Sequence, residues 1–542
     1  MRSNGAFPRA VLVFSLPILV SLAVSSVLQG CSRRELKDTL YLALKTEPPE
    51  LNSTKAIDQE SGFILGHVME GLTRTDASGL PVPGVAESWK LTERGATFNL
   101  RGDARWSDGK LVSAQDFVFA WRTVVDPKTA SEYAFILFPI KNAEQIVKGK
   151  LPPSALGVQA RDDRTLEVTF EKPCGYFPSL TSFVTYLPVR QDFYEAQQGK
   201  YGADADKLLY NGPFQLSYWV HGAALRLEKN EKYWNRQKVN LRRIEVPYIT
   251  PDDSARFNLF RDHKIDILEL SKNSLENALR EGFNLKKFND GSIYYLEFNL
   301  AKNRATRNKN LRKAIQLVFD AQEYVSKVIG IPGTTPGLGL IPGWMPGSKD
   351  LFRAEYPLMP VKPDLLKARA HMAAFLKEEK LSAPPSLTWL TGESPTSARE
   401  AEYFQSLLKN VLGVEIRIDK QIFKQRLAKM NAGDFDIVSA GWGPDYADPM
   451  TFADLFTSWN ENNRGKWKNE AYDALIRKAQ GTTDTRVRMG AMAEAEKILL
   501  EEQPILPLFE RTIIYTHSAR VSGIVRRSVG ADPDLSQASA TE

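Results

Sequence analysis

The stretch GWGPDYADPM, residues 441–450, gathers Trp442, Asp445, Tyr446 and Asp448 within ten residues, beside two glycines and two prolines and without a basic residue. It follows the apolar run FDIVSA (435–440) and reads as a loop. A turn before the next helix would explain the aspartates. A site for a positively charged group would explain the aspartates and the aromatics together. Asp448, directly before Pro449, is expected to cap a helix over PMTFADLF.

The elements around this decad alternate. SLTWLTG reads as a strand and REAEYFQSLLKNVLG as a helix closed by Gly413; VEIRID is a strand, QIFKQRLAKMNAG a helix closed by Gly433, and FDIVSA a strand. Such alternation predicts parallel strands in an α/β lobe. In such lobes ligands sit beyond the carboxyl ends of the strands. The decad and GESPTS (392–397) both occupy such places. Earlier, DTLYLAL (38–44), ATFNLR and RTLEVTF (164–170) alternate as strands, and SDGK (107–110) is a turn. Ser113 is placed to cap the helix AQDFVFAWRTVV, and 208–230 reads as a strand pair about Gly222. The first part is therefore mixed and strand-rich. LRKAIQLVFDAQEYVSKVIG (311–330) reads as one helix stopped by Gly330, and 331–347 as a long Pro/Gly loop. Helices are expected at 470–480 and 486–502 and a strand at 505–516, and the polar tail from Gly530 is expected to fray.

Residues 1–30 read as a signal: Arg2 and Arg9, then the apolar stretch 10–28. LQGC, ending in Cys31, resembles a bacterial lipobox. Cys31 is then the lipidated first residue, 31–35 a linker, and the protein an extracytoplasmic one tethered to a bacterial membrane, in the periplasm or at the cell surface. A transmembrane anchor is the alternative. Ser32 stands where an aspartate would favour the inner membrane, which points weakly outward. With Cys31 lipidated, Cys174 is alone and no internal disulfide forms.

The formal charge of +6 is spread along the chain, so no nucleic-acid partner is expected. His67, His221, His263, His371 and His517 are scattered, and no HExxH, CxxC or EF-hand loop occurs; neither a metal nor a cofactor is implied. SDGK and SLLK (406–409) match Ser-x-x-Lys, but its companion motifs and GxSxG are absent, so the chain is not expected to be an enzyme.

Residues 84–127 resemble the signature of the extracellular solute-binding proteins that serve peptide and nickel ABC transporters. The resemblance rests on AESW, F-x-L-R, WSDGK and DFVFAWR, and on NGPF (211–214), LEKNEKYW (227–234), LRKAIQLVFD (311–320) and GWGPDYADP (441–449) in the expected order. Within that family the oligopeptide-binding lipoproteins look most similar. The resemblance implies an α/β, periplasmic-binding-protein-like fold: two main α/β lobes joined by a hinge, plus a strand-rich third lobe. Lobe I would be discontinuous (36–60, 190–291 and 511–542), the strand-rich lobe 61–189, and lobe II 292–510, with hinge crossings near 291 and 510.

It implies a monomer that captures oligopeptides between the lobes and delivers them to the permease subunits of an ABC importer. The same fold could instead hold a murein peptide, a nickel complex, haem or a sugar, or serve a surface lipoprotein that senses or adheres without a permease. Asp445 would bind the ligand's α-ammonium, and Trp442 and Tyr446 would add cation–π contact or a pocket wall. Gly441 would allow backbone pairing, and Glu47 and Pro49 would lie on the other pairing edge, where Pro48 and Pro49 remove donors. Tyr133, Tyr295 and Phe423 match aromatic cleft positions, with core packing as the alternative for each. Ser439 stands where some relatives carry a carboxylate-binding arginine. Arg511 is the substitute candidate, against a surface or hinge ion-pair role. Ser292 and Gly443 replace a disulfide found in some relatives.

Overall fold

The computed structural model describes residues 37–541 except Ser78. The signal, the linker and Cys31 lie outside the described residues. No described helix is long and apolar enough to cross a membrane.

Three main sheets organise the chain. In the first, Thr39–Leu44 runs parallel to Arg243–Ile249, which continues antiparallel to Ala224–Lys229 and then Phe214–Val220. The second is antiparallel, in the order Ala86–Thr92, Gly95–Leu100, Thr165–Thr169, Val158–Asp162. The helix Ala114–Val125 buries Phe117 and Trp121 in the core beneath this sheet. Its start is held as expected at Ser113, whose N–H donates to Asp116 Oδ2 at 2.9 Å; the same oxygen accepts from Trp106 Nε1 at 3.0 Å. The third sheet runs Ile267–Leu270, Ile505–His517, Lys286–Phe298, Ile437–Trp442, Leu387–Thr391, Ile416–Lys420, with Thr335–Pro336 on its flank.

The last three strands of that order are mutually parallel. The helices Pro395–Leu412 and Phe423–Ala432 connect them. Both end at glycines in left-handed conformation, Gly413 (φ 70°) and Gly433 (φ 68°), which other residues adopt only with strain. Trp389, Phe404 and Tyr324 fill the space between sheet and helices as contacting rings. The two 13-residue strands Lys286–Phe298 and Ile505–His517 pair antiparallel over most of their length. Their register shifts between Asn289 and Ile293. At this bulge Gly291 takes φ 79°, and Asp290 accepts from the Ser292 N–H at 3.1 Å and its Oγ at 3.0 Å.

Three expectations need correction. Residues 311–330 are not one helix. The helix Lys309–Val318 ends at Phe319, whose backbone is extended, and Asp320 caps a new start by accepting the Glu323 N–H at 2.9 Å. The chain then widens into a π-turn, Tyr324–Ile329, before Gly330. An aspartate competes for backbone donors, and the hydrophobic period does not register that. Second, Gly441 and Trp442 belong to the strand and not to the loop, because Ile293 and Tyr294 pair with them across the sheet. Third, the tail is packed. Leu535 and Ala538 are fully buried, Asp534 pairs with Arg74 and Arg527, and the Leu535 N–H donates to His67 Nε2 at 3.0 Å. Two of its partners, Arg74 and His67, lie more than 450 residues upstream, so its polar composition concealed its anchoring.

Glu297 is buried on Lys286–Phe298, where its carboxylate accepts the Gly465 N–H at 2.6 Å. Burial pushes its pKa from 4.5 to about 7, more than the hydrogen bond and Arg464 offset. A raised folded-state pKa means that stability is lost as pH rises from about 4.5 to about 7 and stays lost above. Glu297→Gln, which keeps an acceptor for Gly465, should therefore raise Tm at pH 8, with the gain vanishing towards pH 4; thermal melts across that range check this.

Candidate functional site

The strand Ile437–Trp442 has one occupied flank and one largely open flank. Along its whole length it pairs with Ile293–Phe298. On the other side only Ile437 and Val438 pair, with Trp389 and Leu390. The Ser439 carbonyl faces this second flank, where Arg426 Nη1 donates to it at 3.3 Å. Backbone groups alternate along a strand, so the N–H and C=O of Gly441 face the same way. Gly441 is exposed. A Cβ there would meet the Tyr294 ring at 2.9 Å, so glycine is what lets Tyr294 lie across the strand.

Beyond the strand end the chain gathers the residues that the sequence singled out. Trp442 stacks on Tyr133 with centroids 5.9 Å apart and planes 16° apart. The Tyr133 hydroxyl donates to Asp445 Oδ1 at 3.3 Å, across 312 residues of chain. The Asp445 N–H donates to Thr451 Oγ1 at 2.9 Å. Asp445 is buried, and among the described residues no cation lies within ion-pair distance of it. Burial first, and the nearby Asp454 second, push its pKa well above the carboxylate range; hydrogen bonds from Tyr133 and Thr451 offset this only in part. Trp442 Nε1 is also buried and has no acceptor among the described residues.

Tyr446 stacks on Tyr176 at 5.2 Å with planes 6° apart. Asp448 accepts the Met450 N–H at 3.0 Å, but it does not hold the expected cap position: the helix is only Met450–Ala453 and its cap residue is Pro449, which cannot offer a side-chain acceptor. Asp448 also accepts from both terminal guanidinium nitrogens of Arg488, at 2.8 and 2.9 Å. Arg488 lies over the Tyr176 ring at 4.9 Å. Two aspartates three residues apart thus differ in kind: Asp448 has a buried cation of its own, and Asp445 has none.

The other expected residues lie apart from Asp445. Tyr295 is buried edge-on against Phe456, 5.7 Å between centroids. Phe423 opens its helix, half-buried, with the Arg426 guanidinium 5.6 Å from its ring centroid. Glu47 accepts from Trp219 Nε1 (3.1 Å), the Gly222 N–H (2.9 Å) and the His221 ring, and so ties the first strand's exit to a hairpin turn. Pro49 is half-buried in the same exit. Arg511 pairs with Asp290, with Nε at 2.6 Å, and donates to the Tyr294 hydroxyl at 2.8 Å; its charge is met at the bulge between the two long strands.

Four residues went unmarked in the sequence. Arg426 lies beside Ser439 with a buried Nε that has no acceptor and, among the described residues, no carboxylate within ion-pair distance. Glu400 accepts from Ser439 Oγ at 2.9 Å and the Tyr324 hydroxyl at 2.6 Å, and burial raises its pKa. Tyr176 and Asp454 complete the aromatic and acidic surroundings of Asp445. An acid within the apolar PMTFADLF was the one visible signal. Among the described residues no group of His, Cys, Asp and Glu could hold a metal ion.

The sequence profile of the bacterial extracellular solute-binding proteins, family 5, matches residues 81–464. The chain belongs to this family. As a family 5 protein it is a bacterial extracellular solute-binding protein and not an enzyme. It is 30% identical to the dipeptide-binding protein DppE of Bacillus subtilis over 94% of this chain and 96% of that protein. The substrate-binding domain of an oligopeptide ABC transporter from Bacillus anthracis superposes with a TM-score of 0.88 at 34% identity, covering 93% of this chain and 99% of that one. Listeria monocytogenes OppA bound to peptide gives 0.87 at 32%, with the same coverage. This family 5 protein therefore has the expected periplasmic-binding-protein-like fold, two α/β lobes and a strand-rich third region.

Removing one partner of a buried ion pair strands the other charge, at a cost of about 3–5 kcal/mol. Arg488→Met should lose stability on that scale, because Asp448 remains buried. Urea denaturation at pH 7 measures it, and Asp448→Asn combined with Arg488→Met should recover part of the loss.

Proposed function

We propose that this protein captures oligopeptides in the cleft bounded by Tyr133, Trp442 and Asp445 and delivers them to its permease. The observation that carries this is the Asp445 carboxylate, buried with no cation of its own at the end of a strand with an open flank. A peptide's α-ammonium is such a cation, and an ionised partner roughly doubles a hydrogen bond's strength. The peptide backbone would add along Ser439–Gly441 as an extra strand, which binds without regard to side chains. Trp442 Nε1 offers a further donor to a peptide carbonyl. The kinship with dipeptide- and oligopeptide-binding proteins supports the same reading.

Closure would turn on the crossings near 291 and 510, where the bulge and the Arg511–Asp290 pair lie. The lobe boundaries expected from the family, the single-copy state, the extracytoplasmic location and the lipid anchor at Cys31 belong to this proposal.

Thermal unfolding of ligand-free protein tests it, alone, with a pool of tri- to pentapeptides, and with the same pool N-acetylated. Ligand at about a hundred times Kd adds roughly 2.7 kcal/mol. Free peptides should raise Tm, and both acetylation and Asp445→Asn should remove most of the shift. An equal shift with acetylated peptides would sink the ammonium role, and no shift with either pool would sink the peptide ligand.

A further inference from the structure

The helix Phe423–Ala432 links two parallel strands, so it begins at the carboxyl ends of that part of the sheet. Arg426 lies in its first turn. Its backbone N–H donates to the Ile422 carbonyl at 2.9 Å, and its guanidinium stands 5.6 Å from the Phe423 ring centroid. This brings the charge to the flank of Ile437–Trp442 that has no strand partner beyond Val438. There Nη1 donates to the Ser439 carbonyl at 3.3 Å. Gly441, two residues on, faces the same side.

The remaining donors of Arg426 form a vacant fork. Nε is buried without an acceptor, and Nη2 makes no hydrogen bond among the described residues. Nε and Nη2 share one edge of the planar guanidinium, and that edge matches the two oxygens of a carboxylate. Arg511 and Arg526 use the edge in this way. Arg511 places Nε and Nη2 on Asp290; Arg526 spans Asp532, with Nε on Oδ1 and Nη2 on Oδ2, each at 2.8 Å. Arg426 has no such partner. Glu400 and Glu60 act on it through space, and neither comes within ion-pair distance. Glu400 instead accepts from Ser439 Oγ at 2.9 Å and the Tyr324 hydroxyl at 2.6 Å. A ligand carboxylate on the free edge would supply the acceptors that burial removes.

We infer that Arg426 is a specificity-determining residue that selects peptides carrying an acidic side chain, whose carboxylate lies across the Nε–Nη2 edge. The inference rests on the peptide reading above and names the class of peptide. A peptide also ends in a carboxylate, but the two sources differ in register. An extended chain advances about 3.3 Å per residue, so its terminal carboxylate reaches a given place at one length only. A side chain at that place is present in every longer peptide. Arg426 is fixed beside Ser439, so selection across lengths falls to the side chain. The chain's formal charge of +6 attracts any acidic peptide at long range, so the selectivity meant here is one of position and not of total charge.

Calorimetric titration of the full chain at pH 7 tests this. The probes are alanine pentapeptides with a free N-terminus and an amidated C-terminus, carrying one Glu or one Gln at position 2, 3 or 4, beside the unamidated alanine pentapeptide. At one position the Glu peptide should bind about tenfold or more tighter than its Gln counterpart, the scale of a hydrogen-bonded charge pair. Arg426→Met should bring the two to the same affinity. Arg426→Lys, which keeps the charge and loses the fork, should retain only part of the difference.

Equal Glu and Gln affinities at all three positions in wild type would overturn the inference, whether or not Arg426→Met folds. An equal gain at every position would also overturn it, as long-range attraction alone, and so would a positional gain that survives Arg426→Met. A loss on amidation that Arg426→Met reproduces, with no Glu preference, would give Arg426 to the ligand's C-terminus and overturn the side-chain role. Failure of every one of these peptides to bind, and of the free tri- to pentapeptide pool to raise Tm, would instead strike the underlying peptide reading.

Discussion

The pairing of Lys286–Phe298 with Ile505–His517 is the constraint on which the rest of the structure depends. These two long strands carry Ile267–Leu270 at one end and Ile437–Trp442 at the other, and so run through the sheet's centre. A slip of one residue would turn every side chain to the opposite face. Tyr294 would then leave Gly441, and Tyr295 would leave Phe456. The register of this pairing shifts at the bulge Asp290–Ser292 and again between Tyr294 and Tyr295, and Arg511 ties Asp290 to Tyr294 there. The strand that ends in Trp442 inherits its position from this frame, with its outer flank left open from Ser439 onward.

Beyond that flank the site is defined by an imbalance of buried charge. Asp448 lies close to Asp445 in sequence and is buried to a similar extent. Arg488 meets Asp448 with two hydrogen bonds and is itself braced on Tyr176. Nothing comparable meets Asp445 or Asp454 among the described residues. Ionising a carboxyl in such surroundings is costly unless a cation accompanies it. Under the proposed reading, a ligand that brings a positive charge offsets that cost and an anion does not.

The open flank has its own polarity. Arg426, beside Ser439, carries a positive charge with no carboxylate in ion-pair contact among the described residues, while Glu400 is held by Ser439 and Tyr324 and raised towards neutrality by burial. Glu47 and Arg511 are engaged elsewhere, one at a hairpin turn and one at the bulge. The charged groups nearest the strand's open edge are thus ones without a motif in the sequence.

The sequence by itself determined what is local. Alternation marked the strands, Ser113 and the glycines at 413 and 433 marked helix ends, and the order of motifs carried the family and hence the fold. It also placed Trp442, Asp445 and Tyr446 in one short segment; Tyr133 came in through the family resemblance, with core packing as the alternative, and it lies buried against Trp442. Local patterns misread the 311–330 stretch because Asp320 captures a backbone N–H that the hydrophobic period does not register. Only the tertiary structure decided which acid would keep a partner. Arg488 lies 40 residues from Asp448, and the Tyr133 hydroxyl lies 312 residues from Asp445. Arg74 and His67 hold a tail that composition alone leaves loose. The physical reason is common to all three cases. Hydrogen bonds within a turn or a helix end depend on neighbours in the chain, whereas the cost of burying a charge depends on what packs around it.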